Sequence, residues 1–264
     1  MKKLLIIFAL TSLIFAKDII LKNSEAIKIA NKIWQNEGSG KKKYLVWWNK
    51  GEEFASCGIG HFIWFTKDKP MWFFHAFPDM LKYITKHGAK PPKWLTPNTP
   101  CIWNSYSEWK RAKEQNSPKM VELTNFLDKT KALQAKYMVH RFNLAVPKII
   151  NYAKDEKLKN KIKYNLNRLL YKKDGSIDAQ GAYCLIDYTN FKGDGTLESE
   201  RYQGLGWGLF QVLAHMDEKN PNKYKAFANS ARFILDRLIK IAPPQRRLYR
   251  FKKGWFNRVK TYER

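Results

Sequence analysis

Residues Asn36 to Phe65, NEGSGKKKYLVWWNKGEEFASCGIGHFIWF, form the stretch that decides the fold of this chain. Glu37 closes a helical pattern, because two glycines follow within three residues and glycine commonly ends a helix. From Tyr44 onwards the residues become aromatic and apolar, and Asn49-Lys50-Gly51 interrupts them as a turn. The stretch therefore predicts a glutamate at a helix end, followed by a small β-hairpin or three-stranded sheet.

Helical spacing of apolar residues dominates the rest of the chain. Ser117-Pro118 predicts the start of a long helix that runs past Tyr137, since proline is favoured at the first helical position. A glycine- and acid-containing segment, 187–206, is predicted as a loop. The other main predicted helices cover residues 23–37, 158–171, 207–216 and 223–241. The predicted fold class is α+β and mostly α-helical, with a small β element near the N-terminus.

The N-terminal residues 1–16 are typical of a secretory signal peptide. Lys2 and Lys3 precede an apolar run from Leu4 to Phe15, and Ala16 stands before a charged pair. The run is too short for a permanent transmembrane helix, although an uncleaved N-terminal anchor is the alternative. We expect a periplasmic or secreted protein with no integral membrane segment after cleavage.

The formal charge is +26, from 49 lysines and arginines against 23 aspartates and glutamates. In an intracellular protein such a charge indicates nucleic-acid binding, but export argues against nucleic acid as the partner. Outside the cytoplasm the polyanions are cell-wall peptide carboxylates, lipopolysaccharide and lipid headgroups. We therefore expect electrostatic contact with anionic envelope polymers. The alternative is that much of the charge is solvated surface, because the lysines are scattered along helices.

The cysteines Cys57, Cys101 and Cys184 fit no metal-site spacing. One disulfide with one free thiol stays open, because the chain is expected to reach an oxidising compartment. Cys57 is interpreted as a small buried apolar residue rather than a nucleophile. We expect no metal and no cofactor.

The order of Glu37, an aromatic hairpin and Gly58-Ile59-Gly60-His61 resembles the active-site segment of the phage-type branch of the lysozyme superfamily. By this resemblance Glu37 matches the general acid, Gly58 and Gly60 match the hairpin glycines, and His61 matches the histidine that follows them. Ser56 stands where the family commonly has a threonine that helps to place the attacking water. The resemblance implies a single lysozyme-like domain over residues 17–264 and cleavage of peptidoglycan.

Glycoside hydrolysis requires a carboxylic acid that is still protonated near neutral pH. Glu37 follows Ile33 by four residues and Trp34 by three, so its side chain continues the apolar stripe of the helix. Apolar surroundings and the negative potential of a helix C-terminus both raise the pKa of a carboxyl group. We therefore expect Glu37 to be the general acid, with an ordinary surface glutamate at a helix end as the alternative.

The hairpin departs from the family pattern, because no aspartate occupies the place of its second carboxylate. Asn49, Glu52 and Glu53 are the candidates there, and either glutamate could act as the base of an inverting hydrolysis. Both glutamates could equally belong to a solvated turn. Without a second carboxylate, a lone glutamate still supports a lytic transglycosylase, in which the sugar's 6-hydroxyl attacks and a 1,6-anhydro product forms.

A second segment, Gly208-Leu209-Phe210-Gln211, is similar to the GLMQ-like box of goose-type lysozymes and soluble lytic transglycosylases. Those families have a Glu-Ser pair upstream, whereas Glu198-Ser199 lies very close to the box here. Glu198 and Glu200 are therefore the alternative acids. Three residues of this region are expected to bind substrate in the cleft of Glu37, namely Tyr202, Trp207 and Gln211.

Aromatic side chains provide flat faces for pyranose rings. The tryptophans nearest the proposed site are Trp47, Trp48, Trp64 and Trp72. We expect one or two of these to bind sugar, with Trp48 assigned to substrate and core packing as the alternative. His61 is expected to line the site, with its ring bonding the hairpin to the helix. The tail 254–262 is faintly similar to the C-terminal helix of phage lysozymes, although a tail packed over the core explains it equally.

These features predict an exported peptidoglycan glycosidase that cleaves the MurNAc–GlcNAc β-1,4 bond, as a lysozyme or a lytic transglycosylase, with Glu37 as general acid. Its partner would be the peptidoglycan glycan strand. The alternative is a non-catalytic, strongly basic protein that binds peptidoglycan or the envelope through a degenerate lysozyme-like cleft. A third hypothesis is a basic envelope protein that binds lipopolysaccharide.

Overall fold

The computed structural model describes residues 19–67 and 75–263. The predicted signal peptide, 1–16, and Trp72 lie outside these ranges. The structure is 63% helix and 7% strand, and a small antiparallel sheet lies near the N-terminus. The predicted fold class, α+β and mostly α-helical, is therefore confirmed.

Helices and strands follow one another along the described ranges in a single order. The helices are α1 (Asn23–Gly38), α2 (Ala76–Lys86), α3 (Tyr106–Glu114), α4 (Pro118–Lys129), α5 (Lys131–Tyr152), α6 (Glu156–Leu170), α7 (Ala179–Lys192), α8 (Leu209–His215), α9 (Lys223–Ile241) and α10 (Lys252–Lys260). The strands are β1 (Val46–Trp47), β2 (Phe54–Cys57), β3 (Phe62–Phe65), β4 (Arg201–Tyr202) and β5 (Leu205–Gly206). Within the described residues, none of the helices is both long and apolar enough to span a bilayer.

Helix α1 begins and ends as the sequence predicts. At its start the Glu25 carboxylate accepts the backbone N–H of Lys22 at 2.9 Å. At its end Ser39 adopts the left-handed conformation, with φ 51°, and its N–H donates to the Gln35 carbonyl at 3.1 Å. Glu37 therefore lies in the last turn, where the chain leaves the helix.

The three-stranded alternative of the sequence prediction is the one found. Strands β1, β2 and β3 pair antiparallel in that order, with Val46 opposite Cys57 and Phe54 opposite Phe65. Strand β3 packs against α2, and α2 packs against α5. Because interiors are close-packed, these contacts fix the sheet relative to the long helix α5.

The turn between β2 and β3, Gly58 to His61, is held from two sides. The Ile59 N–H donates to the Oε1 of Gln134 on α5 at 2.9 Å, and the Gln134 side chain is fully buried. On the other side, Asn190 of α7 donates to the Gly60 carbonyl at 3.0 Å. Buried amide groups with satisfied partners specify one backbone conformation, so this turn is a fixed support for His61.

The structure divides one long predicted helix into two helices, α4 and α5. The helix expected from Ser117-Pro118 past Tyr137 is interrupted at Thr130, between α4 and α5. The Thr130 hydroxyl donates to the Phe126 carbonyl at 2.8 Å. Such a bond to the carbonyl four residues earlier bends a helix, which is the physical reason for the break.

Helix α7 is absent from the sequence prediction, and the assignment of residues 187–206 as a loop is wrong at its start. Every residue from Gly181 to Thr189 is buried, so the helix has no apolar stripe opposite a polar face. Asp178 starts the helix by accepting the Gly181 N–H at 2.9 Å. Helix α7 contacts α1, α5, α6, α8 and α9, which makes it central to the packing.

The three cysteines, Cys57, Cys101 and Cys184, are buried free thiols, so the disulfide left open by the sequence is not formed here. Burial raises the pKa of Cys57 and of Cys184 well above the ordinary value. Burial likewise raises the pKa of Cys101, to about 12. Protonated buried thiols are poor nucleophiles, which fits the interpretation of Cys57 as an apolar core residue.

Gly51 and Gly58 offer a matched test of the turn. Both have positive φ, 91° and 78°, so alanine strains the backbone at either position. An added Cβ meets nothing within 4 Å at Gly51 but lies 2.4 Å from Gln134 Oε1 at Gly58. We expect urea unfolding to show a loss of about 1 kcal/mol for Gly51→Ala and about 2–4 kcal/mol for Gly58→Ala, which also disrupts the Gln134 bond. Equal losses would contradict the support assigned to Gln134.

Candidate active site

A cleft of about 1410 Å³ is lined by the end of α1, the three-stranded sheet, α2, α5, the C-terminal end of α7 with the following loop, and the segment before and within α10. Predicted site residues from separate parts of the chain meet in it: Glu37, Glu52, Glu53, Ser56, His61, Glu200, Tyr202 and Trp207. Because they come from different elements, only the tertiary fold brings them together.

Three predicted site residues lie elsewhere. Trp48 is 1% exposed and donates its indole N–H to a backbone carbonyl of the hairpin at 2.8 Å, so it is a core residue rather than a sugar platform. Gln211 donates to the Gly195 carbonyl at 3.0 Å and supports the loop after α7 instead of facing the cleft. The Glu198 side chain is 89% exposed and pairs with Arg201 at 3.3 Å.

The surroundings of Glu37 are polar, so the apolar environment expected from the helical stripe is wrong. Its Oε1 accepts a hydrogen bond from Nη1 of Arg258 at 2.7 Å. Its Oε2 lies 3.8 Å from Nδ1 of His61. The Glu37 side chain is 17% exposed, so one edge of the carboxyl group faces the cleft while the other is fixed by the arginine.

Arg258 is shared between two carboxyl groups. Its Nε and Nη2 donate to Oδ2 and Oδ1 of Asp187 at 2.8 and 2.7 Å, and Asp187 is fully buried. The Phe191 ring lies 4.1 Å from the guanidinium carbon. A buried guanidinium needs one counter-charge, which Asp187 supplies. Glu37 is therefore a second carboxyl group on one cation.

The His61 ring presents an unprotonated nitrogen to Glu37. Its Nε2 lies 2.9 Å from the Tyr44 carbonyl, which can only accept, so the bond assigns the proton to Nε2. Burial lowers the pKa of His61, although the Glu37 carboxylate opposes this. A neutral ring with Nδ1 free of hydrogen can accept a hydrogen bond from a protonated Glu37 or from a water between them.

Glu200 is the carboxyl group of the cleft that holds its proton near neutral pH. Burial, assisted by the negative charge of Asp194, raises the pKa of Glu200 to about 7. Its Oε2 accepts the Gly195 N–H at 2.6 Å. A Cβ on Gly193 would lie 1.7 Å from the Glu200 carboxyl group, so the glycine makes room for it. The loop after α7 thus places the Glu200 carboxyl group in the cleft.

Glu52 is the better placed of the two hairpin glutamates. Its Oε2 accepts a hydrogen bond from the Asn49 side chain at 3.0 Å, which orients the carboxyl group. Burial raises the pKa of Glu52, against the opposing effects of Asn49 and of Arg250. Glu53 is exposed at the cleft edge, and Ser56 is a nearly buried residue of β2.

Several residues that shape the site were missed by the sequence analysis. Lys192 lies in the cleft with its ammonium group 3.4 Å from the ring centre of Trp255, and burial lowers its pKa well below the ordinary value. The Trp255 and Phe251 rings are stacked, with centres 5.9 Å apart. Arg258 lies 221 residues from Glu37. Only the tail similarity pointed to this segment, and no local pattern pairs residues so far apart.

No family model, curated protein or solved structure matches the chain. Within residues 19–67 and 75–263, no group of three or more histidine, cysteine, aspartate or glutamate side chains is arranged to hold a metal ion.

Replacing the buried Arg258 should lower the free energy of unfolding more than replacing an exposed cation. We expect Arg258→Met to lower the free energy of unfolding by about 3–5 kcal/mol, because the buried Asp187 carboxylate loses its counter-charge. The double variant Arg258→Met/Asp187→Leu should recover much of this loss. Lys260→Met, which removes an exposed cation from the same helix, is the control in urea unfolding. A loss below about 1 kcal/mol in Arg258→Met would contradict the network.

Glu200 should make stability fall as pH rises. Its folded pKa, about 7, exceeds its ordinary value of 4.5, so the folded state binds more protons than the unfolded state between these values. The contribution of Glu200 to the free energy of unfolding is fully present below pH 4.5 and is lost as pH rises through about 7. We expect wild type to lose up to about 3 kcal/mol relative to Glu200→Gln between pH 4.5 and 8. Glu198→Gln is the exposed control, and a parallel course of all three proteins would contradict the prediction.

Proposed function

We propose that this protein is an exported peptidoglycan glycosidase that cleaves the MurNAc–GlcNAc β-1,4 bond with Glu37 as general acid. One observation carries the proposal: the residues matched to the phage-type lysozyme segment, Glu37, Ser56 and His61, line one cleft together with further carboxyl groups. The cleft exceeds the 300–1,000 Å³ of ordinary small-molecule pockets, which favours an extended polymer as substrate.

In the proposed reaction Glu37 gives its proton to the glycosidic oxygen and becomes a carboxylate. Arg258 already donates to Oε1 of Glu37, so it stabilises the negative charge as it forms, without rearrangement. The His61 Nδ1 faces Oε2 and helps to orient the proton-bearing oxygen. In the transglycosylase route Glu37 then takes the proton of the attacking sugar hydroxyl, whereas in an inverting hydrolysis the base takes the proton of the water and solvent reprotonates Glu37.

Two carboxyl groups could serve as the second catalytic group. Glu52, oriented by Asn49, is the candidate base for a hydrolysis with inversion, in which a water lies between the acid and the base. Glu200 lies in the segment after α7 and is oriented by a backbone N–H. It is the other candidate for the second catalytic group. If neither acts, Glu37 alone supports the lytic transglycosylase reaction, and its product carries a 1,6-anhydro ring.

Aromatic rings in the cleft supply the sugar contacts of the proposal. Tyr202 and Trp207 have ring centres 4.8 Å apart, and both line the cleft. Trp255 and Phe251 form a stacked pair along the same cleft. Such rings bind the apolar faces of pyranoses, so Tyr202, Phe251 and Trp255 replace Trp48 as the proposed sugar platforms, with the buried Trp207 packed against Tyr202.

The proposed location follows from the sequence. A signal peptide over residues 1–16 would deliver the protein to the periplasm or the medium, where its net positive charge holds it near the anionic wall. This attraction is screened by salt, so wall binding should weaken as ionic strength rises. The proposed chemistry uses carboxyl groups and requires no cofactor.

A second candidate function is a non-catalytic protein that binds peptidoglycan or other envelope polymers through a degenerate lysozyme-like cleft. The observation that favours it is the hairpin, where Asn49-Lys50-Gly51-Glu52-Glu53 provides no aspartate. Such a protein would bind purified sacculi and release no muropeptides.

Mass spectrometry of the soluble products from purified sacculi tests the proposal. We expect wild type to release muropeptides, with reducing ends from a hydrolase or 1,6-anhydro ends from a lytic transglycosylase. Glu37→Gln should lower the rate by at least about 100-fold, because an amide cannot supply the proton. Glu198→Gln, the exposed control outside the cleft, should match wild type.

The remaining carboxyl variants assign the second group. A large loss of rate in Glu52→Gln, with Glu200→Gln close to wild type, would identify Glu52 as the base, and the reverse would identify Glu200. Equal activity of wild type and Glu37→Gln would discard Glu37 as the acid. Binding of wild type to sacculi with no released product would favour the non-catalytic alternative.

A further inference from the structure

The side chains that line the cleft carry charges of both signs, and Lys192, Arg246 and Arg250 are basic lining residues outside α2 and α5. Acidic groups come from α1, the hairpin and the loop after α7: Glu37, Glu52, Glu53, Asp194 and Glu200. Basic side chains of α2, of the residue after it and of α5 also line the cleft: Lys82, Lys86, His87, His140, Arg141 and Lys148. We call this second set the cationic arm. The acid among the lining residues of α2 and α5 is Asp79.

Stacked aromatic rings pack beside the lysines of the cationic arm. The Tyr83 ring lies between His87 and His140, with centres 4.1 and 4.9 Å away and planes nearly parallel. The Tyr137 ring follows at 5.6 Å from Tyr83. Leu144, 52% exposed, adds an apolar side chain to the same lining. The arm therefore combines positive charge with apolar contact area.

The cationic arm joins the candidate catalytic segment through a short chain of hydrogen bonds. Arg141 donates to Oδ1 of Asn190 at 3.4 Å, and Asn190 donates to the carbonyl of Gly60 at 3.0 Å. Gly60 precedes His61, whose ring faces Glu37 at 3.8 Å. The arm thus begins beside the residues that would act on the sugar bond.

A lysine-rich surface alone does not explain this arrangement, because most acids of the same cleft, Asp79 excepted, lie on elements other than α2 and α5. Lys82, Lys86 and Lys148 are exposed, so their charges are available to a ligand in the cleft. Charges of one sign inside a cleft act together more strongly than on a convex surface, since the low-dielectric walls focus their field. The arm is therefore suited to an anionic ligand.

We propose that the cationic arm binds the carboxylates of the peptide that branches from the glycan strand, so that the protein acts preferentially on peptide-bearing strands. This inference rests on the proposed glycosidase function. A stem peptide leaves the sugar chain at a lactyl group, and its carboxylates, methyl groups and backbone require a charged, partly apolar groove continuous with the sugar cleft. The cationic arm is such a groove, with its lysines for the carboxylates and Leu144 for an alkyl side chain.

The test compares two substrates prepared from the same sacculi: uncrosslinked peptide-bearing glycan strands, and the same strands after an amidase has removed the peptides. The stripped strands keep the lactyl carboxylate close to the sugar ring and lose the carboxylates farther out. The arm variant is Lys82→Gln/Lys86→Gln/Lys148→Gln. We expect its kcat/KM to fall about fivefold to tenfold on peptide-bearing strands and to stay within about twofold of wild type on stripped strands.

The control variant, Lys154→Gln/Lys157→Gln/Lys225→Gln, removes the same charge from exposed positions that do not line the cleft. It should lower the rate slightly and equally on both substrates. Equal losses of the arm variant on both substrates would overturn the inference, and so would arm-dependent binding to anionic phospholipid vesicles with no preference between the strands.

A binding measurement separates failure of this inference from failure of the glycosidase proposal. Calorimetry of a soluble peptide-bearing muropeptide with the Glu37→Gln protein reports arm binding without turnover. Binding that weakens about fivefold to tenfold in the arm variant, and not in the control, supports the arm even if wild type cleaves neither strand. Unchanged binding in the arm variant overturns the arm even if wild type cleaves both strands.

Discussion

The guanidinium of Arg258 donates to two carboxyl groups at once, to Asp187 through Nε and Nη2 and to Glu37 through Nη1. These three residues belong to α10, α7 and α1, so a single planar group joins the two ends of the chain to its most buried helix. Removing charges from water is costly, and the bidentate geometry with Asp187 offsets that cost. The position of Glu37 therefore depends on how the C-terminal helix docks.

The turn that carries His61 is fixed by the same principle of satisfied buried groups. Gln134 accepts the N–H of Ile59, and Asn190 donates to the carbonyl of Gly60. Both side chains come from helices that also contact α1, so the same two helices support the turn and the helix end. Glycine at position 58 is required by this closeness, since any side chain would enter the space of Gln134.

Local patterns predicted the end of α1, a small β element after it and helix α9, because each of these depends on residues close together in the sequence. They failed for α7, whose burial on nearly all sides removes the periodic signal, and for Thr130, where a hydroxyl interrupts a continuous apolar pattern. Alternating aromatics could not distinguish Trp48 in the core from rings in the cleft. Arg258 could not be paired with Glu37, because a separation of 221 residues leaves no local trace.

Glu37 and Glu200 have different electrostatic environments in the cleft, and the difference limits the catalytic roles that each can take. Glu37 lies against a cation, whereas Glu200 lies near Asp194 and has its pKa raised to about 7. A buried carboxyl group with a raised pKa is typical of a general acid, so Glu200 stays the alternative to Glu37 in that role. With Glu37 as the proposed acid, Glu200 can act as a base only where it has lost its proton, above about pH 7. Below that pH the remaining candidates for the base are Glu52 and Glu37 itself. If Glu37 acts alone as acid and base, the reaction is that of a lytic transglycosylase.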